Sequence, residues 1–377
     1  MPNAGIYIHI PFCIKKCAYC DFYSITDVAL QVQFLTALIK EIQLRSRPKQ
    51  ICDTLYLGGG TPSFLKVDAL EKILKTIRQN FSITKDAEIT IEVNPATIML
   101  KQLIILRQMG INRINIGVQS FSDQQLNFLG RCHTGKDARE SITMARRAGF
   151  ERMGMDLIYA LPGQSENRWQ KDLNTTLNYK PEHISCYMLT YEAGTPMDKK
   201  RQSGSVIPLD DDKVASLFEF TAEFLNNRGY DHYEISNFAR RDPKVDFRSR
   251  HNRKYWNFAP YFGFGPAAHS FKSPIRAWNL RHVTAYIKSL SQNRLPIAET
   301  EKLSFSQQRL ETIYLGLRQS KGIDLVAFEK KFKAKLLVSN PALLQKLQKE
   351  KMAVYDDVTF ALTVRGMRYI DSIVPLI

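Results

Sequence analysis

Three cysteines, Cys13, Cys17 and Cys20, follow directly on the apolar run Ile6, Ile8 and Ile10 in a C-x3-C-x2-C spacing. Half of the chain's six cysteines thus fall within eight residues. Thiolates are soft ligands, and three on one short loop can wrap one corner of a metal cofactor. The number three is informative. Structural zinc sites close with four ligands, whereas a [4Fe–4S] cluster held by three cysteines keeps one iron open to a small molecule. The alternatives are a zinc site completed by a distant histidine and chance clustering. A disulfide framework is not expected, because a chain of 377 residues needs no staples and its start does not read as secretory.

Further residue types with chemical potential recur behind apolar stretches: Gly58-Gly59-Gly60-Thr61-Pro62, Glu92-Val93-Asn94-Pro95, Gln119-Ser120-Phe121, and Asp156 within one such stretch. A triple glycine either makes a turn or lets backbone N–H groups approach a ligand closely. Glu92 either caps the next turn or accepts two hydroxyls of a nucleoside. Later comes His251-Asn252-x-x-Tyr255-Trp256, an imidazole beside two flat aromatics, which suits haem through axial ligation and stacking. Seven basic against two acidic residues between Ser236 and Tyr255 could meet the propionates. A capping histidine in a basic loop is the plain alternative for His251. His269, in the glycine-rich run 262–270, ranks second as a ligand. Cys52, Cys132 and Cys186 are isolated and read as structural thiols.

The elements that must position these groups alternate in type. Strands are expected at Gly5–Ile10, Thr54–Gly58, Glu88–Val93, Arg113–Val118, Met153–Ala160 and His183–Leu189. Amphipathic helices lie between them, such as Val28–Arg45 and Asp68–Asn80, and Gly110 and Gly149 stand as C-terminal stops. Six strand–helix units imply a parallel sheet and are too few to close an eight-stranded barrel, so an open, partial (β/α)6 barrel is expected. Every polar or glycine motif then falls at or near the carboxyl end of a strand, on one rim.

The stretch YIHIPFCIKKCAYCDFYS resembles the opening of the radical S-adenosylmethionine superfamily, and more narrowly the group that holds oxygen-independent coproporphyrinogen III oxidase and shorter haem-handling relatives. The resemblance implies a [4Fe–4S] cluster on Cys13, Cys17 and Cys20, S-adenosylmethionine at its open iron, and release of a 5′-deoxyadenosyl radical. It also implies S-adenosylmethionine contacts for Tyr7, the backbone near Tyr19, Gly59, Gly60, Thr61, Glu92, Gln119 and Asp156. Arg131 matches an arginine that contacts a second S-adenosylmethionine in the oxidase. The stretch Tyr233–Ala239 and the motif at His251, Asn252, Tyr255 and Trp256 resemble the haem-handling branch. The oxidase carries a fourth cysteine two positions after the third and an N-terminal extension; here Phe22 occupies that position and strand one begins at residue 5. Ala160 and Ala267 stand where the family usually shows glycine.

Composition bounds the remainder. A net formal charge of +16 favours anionic partners such as porphyrin propionates, lipid surfaces or nucleic acid, or else merely keeps the surface solvated. No apolar run reaches a membrane span and the start lacks a signal-peptide pattern, so a reduced cytoplasmic setting is expected. Helices Ser304–Arg318, Asp324–Phe332 and Ala342–Lys351, strands around Val354–Leu362 and a last helix Thr363–Ile373 read as a small winged-helix-like module. Nucleic acid is disfavoured there because no arginine-rich recognition face stands out. The expected division is a core barrel at 1–200, a barrel extension with the haem loop at 201–299, and the C-terminal module at 300–377. The favoured function is a cytoplasmic haem chaperone that delivers haem to respiratory haem proteins, with peripheral membrane contact and a homodimer left open. The alternatives are coproporphyrinogen III decarboxylation and radical modification of RNA.

Overall fold

The computed structural model describes residues 2–338 and 340–377, without the side chain of Val338. The chain divides into two compact units: residues 1–209 with 259–301, and residues 210–258 with 302–377. The segment expected as a single barrel extension, 201–299, thus contributes to both units.

In the first unit, six strands pair in chain order and in parallel: β1 (Ala4–Ile10), β2 (Arg47–Gly59), β3 (Phe81–Val93), β4 (Arg113–Gln119), β5 (Arg152–Tyr159) and β6 (His183–Met188). Their apolar residues explain the arrangement, because strands covered on both faces read as β-branched runs. Ile6, Ile8, Ile10, Leu57, Ile91, Ile114, Ile116, Met155, Leu157 and Ile184 are all fully buried. Six helices follow or bridge these strands: α1 (Gln31–Leu44), α2 (Val67–Asn80), α3 (Leu100–Gln108), α4 (Asp123–Leu129), α5 (Gly135–Arg147) and α6 (Glu166–Asn178). A seventh, α7 (Pro196–Gln202), follows β6. On its other edge β1 pairs in parallel with the strand Tyr261–Phe264, and the sheet continues through His269–Lys272 and Ile275–Asn279 to Ile297–Lys302. The barrel is therefore partial, with β1 flanked by a strand from far along the chain.

Three boundaries differ from expectation. β2 and β3 each run to 13 residues, because their polar first halves pair with one another after register shifts, Arg47 opposite Phe81 and Cys52 opposite Ile83. The helix expected at Val28–Arg45 opens as a 3-10 turn, Val28–Leu30, capped by Asp27, whose carboxylate accepts from the Ala29 amide at 3.0 Å. The last helix is broken into Val364–Met367 and Ile370–Ile373.

In the second unit the helix Asp211–Asn226 precedes a hairpin of Tyr230–Glu234 and Asn237–Arg240. The C-terminal part packs the helices Phe305–Leu317, Leu325–Phe332 and Pro341–Lys349 on a three-stranded sheet of Ile323–Asp324, Thr359–Leu362 and Ala353–Tyr355. Its core holds Leu317, Phe328, Phe332, Phe360 and Met367. The short strand Ile323–Asp324 was not legible in the sequence, since two residues carry no periodicity.

Candidate functional site

The cysteine loop leaves β1 through a pinched stem. The Cys13 amide donates to the Ile25 carbonyl at 2.9 Å, and the Ile25 amide to the Pro11 carbonyl at 2.7 Å. Inside the loop the Cys20 amide donates to the Cys17 carbonyl at 3.2 Å, so Cys17 and Cys20 share one tight turn. All three thiols are partly exposed. Burial nevertheless pushes the Cys13 thiol up, and the Cys20 thiol up to about 11. Both are protonated at neutral pH until a metal takes the proton's place. Among the described residues no group of three His, Cys, Asp or Glu side chains, the three cysteines included, is already gathered as a metal site.

The glycine run extends the pairing of β1 and β2 past the strand ends. The Gly60 amide donates to Ile10 at 2.8 Å and the Thr61 amide to Phe12 at 2.8 Å. This brings the Thr61 hydroxyl to 3.6 Å from Cys13 Sγ. A Cβ on Gly60 would stand 2.7 Å from the Phe12 carbonyl oxygen and 3.0 Å from Cys13 Sγ, so the absence of a side chain makes the close approach possible. Gly59, at φ +113°, would press a Cβ against the His9 ring at 2.8 Å.

Glu92, near the end of β3, accepts from the Tyr56 hydroxyl at 2.8 Å and the Gly59 amide at 3.2 Å. Burial raises its carboxyl to about 7, with Asp156 adding to the rise and the two donors opposing it. Burial likewise lifts Asp156 to about 6, against the pull of Ser185, Arg113 and Arg131. Gln119 closes β4 in the left-handed region at φ 64°. Among the described residues, Gln119 Oε1 and Asp156 Oδ1 are buried with no hydrogen-bond partner. Unsatisfied buried acceptors at a strand-end rim mark a place where a ligand's donors fit. Soft thiols, a glycine cradle and these acceptors together suit an iron–sulfur cluster and an adenosyl-amino-acid ligand.

Arg131 joins the loop to the rim. Its Nη1 donates to Cys17 Sγ at 3.4 Å, and its Nη2 to Asn94 Oδ1 at 2.5 Å and to the Gly117 carbonyl at 3.0 Å. Asn94 in turn donates to Thr61 at 2.7 Å. The chain Cys17, Arg131, Asn94, Thr61, Cys13 is thus continuous. The sequence reading placed Asn94 in a rim motif and gave it no role; its position directly after β3 was the available signal. Tyr19 packs against Leu129, Ile158, Leu161 and Leu189, and burial drives its phenol upward. The Tyr7 hydroxyl meets His9 Nδ1 at 3.1 Å, and His9 Nε2 meets the Tyr23 carbonyl at 2.8 Å, which ties His9 into the base of the loop.

In the second unit His251 lies on the short helix Arg250–Trp256, whose cap Ser249 accepts from the Asn252 amide at 3.2 Å. His251 is only 1% exposed, and its Nε2 meets the Tyr255 hydroxyl at 2.9 Å. Burial, helped by Lys254, lowers it to about 3 and holds the imidazole neutral. Trp256 lies under the Arg318 guanidinium at 4.9 Å, and its buried indole nitrogen has no hydrogen-bond partner among the described residues. An axial ligand needs an open ring nitrogen, so Nε2 would have to exchange Tyr255 for iron. In the first unit, exposed His269 stacks on Trp278 at 5.6 Å.

A partial parallel barrel with a three-cysteine loop on its rim defines a radical S-adenosylmethionine protein. The family model of the radical SAM superfamily matches residues 7–175, and that of the HemN C-terminal domain matches 303–369. Heme chaperone HemW of Lactococcus lactis is 34% identical over 97% of this chain and 94% of its own length. HemW of Bacillus subtilis is 33% identical over 96% and 95%. That of Synechocystis is 36% identical over 90% and 84%. The solved structure of coproporphyrinogen III oxidase (HemN) from Escherichia coli shares the fold, with a TM-score of 0.86 at 24% identity over 99% of this chain and 89% of that one. The chain belongs to the HemW family within the radical SAM superfamily.

Proposed function

We propose that this protein is a haem chaperone that binds one [4Fe–4S] cluster through Cys13, Cys17 and Cys20, binds S-adenosylmethionine on the adjoining rim, holds haem through His251, and passes it to respiratory haem proteins. The observation that carries this reading is similarity over 96–97% of the chain to proteins named heme chaperone. Phe22, standing where the oxidase has its fourth cysteine, supports the same side.

When bound, the reduced cluster and S-adenosylmethionine would supply a 5′-deoxyadenosyl radical. The chain's own part is to orient and shield. Glu92 would accept the ribose hydroxyls, Gln119 Oε1 and Asp156 Oδ1 would take further donors of the nucleoside or its amino group, and the glycine run would admit the amino-carboxylate end. Arg131 would stand against the Cys17 sulfur. Asn252, Tyr255 and Trp256 would border the macrocycle, and the basic residues between 237 and 254 would meet its propionates. A cytoplasmic location belongs to this reading; among the described residues no helix is long and apolar enough to cross a membrane.

Alanine at Cys13, Cys17 and Cys20 together should abolish bound iron and the visible absorbance of anaerobically purified protein. Unchanged iron would refute the cluster. His251→Ala should remove the axial-ligand band in a haem titration, and an unaltered spectrum would assign the iron to another residue, His269 first. Incubation with coproporphyrinogen III, S-adenosylmethionine and reductant should yield no protoporphyrinogen; its formation would replace the chaperone reading by the oxidase.

A further inference from the structure

The aromatic end of the helix Arg250–Trp256 meets a cation from the C-terminal module. Arg318 caps the helix Phe305–Leu317, where its carbonyl accepts from the Ile235 amide at 3.0 Å, and the next residue, Gln319, donates to the Trp256 carbonyl at 3.3 Å. The guanidinium stands 4.9 Å from the Trp256 ring and 5.7 Å from the Tyr314 ring, so two aromatic faces hold it in place. Among the described residues it makes one hydrogen bond, long at 3.5 Å to the Tyr314 hydroxyl, and no ion pair. That hydroxyl spends its own proton on Asp371 at 2.6 Å.

Two donors are therefore unused. Arg318 Nε and Trp256 Nε1 are buried with no hydrogen-bond partner among the described residues, although both side chains are only half-buried as a whole. Glu234 attracts Arg318 without meeting it: its Oε1 accepts from the Ser236 amide at 3.1 Å, and its buried Oε2 has no partner among the described residues. Burial pushes this carboxyl up to about 7 against the opposing pull of Ser236, Asn237 and Arg318, so at neutral pH it cancels only part of the arginine's charge. The basic run before Trp256 is more committed. Arg248 and Arg253 both pair with Asp246, at 2.9 and 3.0 Å, and Arg241 donates to the Asn226 side chain at 2.7 Å. An incoming anion would have to break those contacts, whereas Arg318 gives up one long bond. Two buried N–H donors beside an aromatic face suit a carboxylate carried on a flat ring system, since a guanidinium donates in a planar fork and the aromatic borders the ring.

We propose that Arg318 is a further haem-contacting residue, its guanidinium and the Trp256 indole N–H together receiving one propionate carboxylate of the haem held through His251. The inference rests on the haem reading above and deepens it. Trp256 follows His251 by five residues on one helix, about 7.5 Å along the axis, which sets the carboxylate receptor apart from the iron ligand as the edge of a macrocycle is set apart from its metal. The C-terminal module thereby supplies a contact that the motif at 251–256 lacks.

The test uses the full chain and two probes, haemin and haemin dimethyl ester, in which both carboxylates are capped. Wild type should bind haemin about tenfold or more tightly than the ester. Arg318→Gln should lower haemin affinity by about tenfold and leave ester affinity unchanged, while Arg318→Lys, which keeps the charge and loses the fork, should recover part of the loss. The axial-ligand band assigned to His251 should persist in both variants. Glu234→Gln should not weaken haemin binding, because it removes a competing carboxylate; a loss as large as that of Arg318→Gln would make the two side chains a structural pair and overturn the proposal. So would an equal loss of both probes on Arg318→Gln. Equal affinity of wild type for the two probes would overturn it with no variant needed, which keeps the test decisive if a substitution unfolds the unit. A wild type that binds no haemin would remove the haem reading itself; one that binds haemin and is indifferent to Arg318 would remove this inference alone.

Discussion

Burial moves Glu92 away from ordinary carboxylate chemistry at the rim, and the departure has a sign. Its carboxyl ionises near 4.5 in the unfolded chain and at about 7 when folded. Below pH 4.5 both states hold the proton; between 4.5 and 7 the unfolded chain releases it first, so this group's contribution to stability falls as pH rises through that window. Glu92→Gln, neutral at all pH, removes that dependence. The variant carries a fixed cost where the Gly59 amide meets an unsuited partner, but its melting temperature relative to wild type should climb between pH 5 and 8. A constant difference would show that Glu92 is ionised in the fold throughout. Ala267 offers a second test. It sits at φ 59°, in the left-handed region, as does Ala160 at φ 62°. These are the two positions where the resemblance expected glycine, and the backbone shows why. Ala267→Gly should raise stability by about 1 kcal/mol in urea unfolding, since left-handed alanine costs roughly 1–2 kcal/mol and glycine gives back part of that as unfolded-state entropy. The residue types of the site were legible because rim chemistry needs unusual residues at strand ends. What was not legible is which neighbour each would find: His251 reads as an open imidazole in sequence and stands buried against Tyr255, a contact made by helical spacing within a capped turn.

At the scale of elements, β-branched periodicity identified all six barrel strands, because doubly covered strands announce themselves by composition. It missed the first halves of β2 and β3, where Lys49, Gln50, Lys85 and Asp86 carry no apolar pattern and fall in the register shifts between the pairs Arg47–Phe81, Ile51–Ser82, Cys52–Ile83 and Thr54–Glu88. It also missed what ties the late segment to the barrel. Glu41 on α1, fully buried, accepts from Arg45 at 2.7 Å, Asn279 at 2.8 Å, the Gly265 amide at 2.9 Å and the Tyr286 hydroxyl at 2.6 Å. A single carboxylate thus fastens three stretches between residues 265 and 286 to a helix formed near the start. Gly265 in turn lies against the His9 carbonyl, where a Cβ would come within 2.4 Å. Nothing in the spacing of Glu41 distinguishes it from a surface glutamate paired with Arg45 one turn on, since its other three partners lie more than 220 residues away. Glu41→Ala leaves four donors without their acceptor and should cost about 3–5 kcal/mol, read as a lower urea midpoint at unchanged slope. A loss below 1 kcal/mol would mean that water replaces the carboxylate.

Across the whole molecule, the two units are each assembled from separated pieces of chain, 1–209 with 259–301 and 210–258 with 302–377. Linear reading finds boundaries by composition and so divides the chain at 200 and 300; it cannot see that the stretch after residue 258 returns to pair with β1. A chain ended at residue 258 should therefore lack a partner along one edge of β1, and limited proteolysis should cut its first 60 residues far faster than those of the full chain. Equal protection would show that the edge needs no cover.

That return has a consequence for the order of events during synthesis. Cys13, Cys17 and Cys20 leave the ribosome early, yet the strand that flanks their own is made some 250 residues later, and the Tyr286 hydroxyl that helps lock it some 270 residues later. At roughly 5–20 residues per second this is a wait of about 12–55 s, during which the nascent thiols stand beside an unfinished edge. On the cluster assignment proposed above, loading of these thiols would be biased towards a chain whose late strand has already been made.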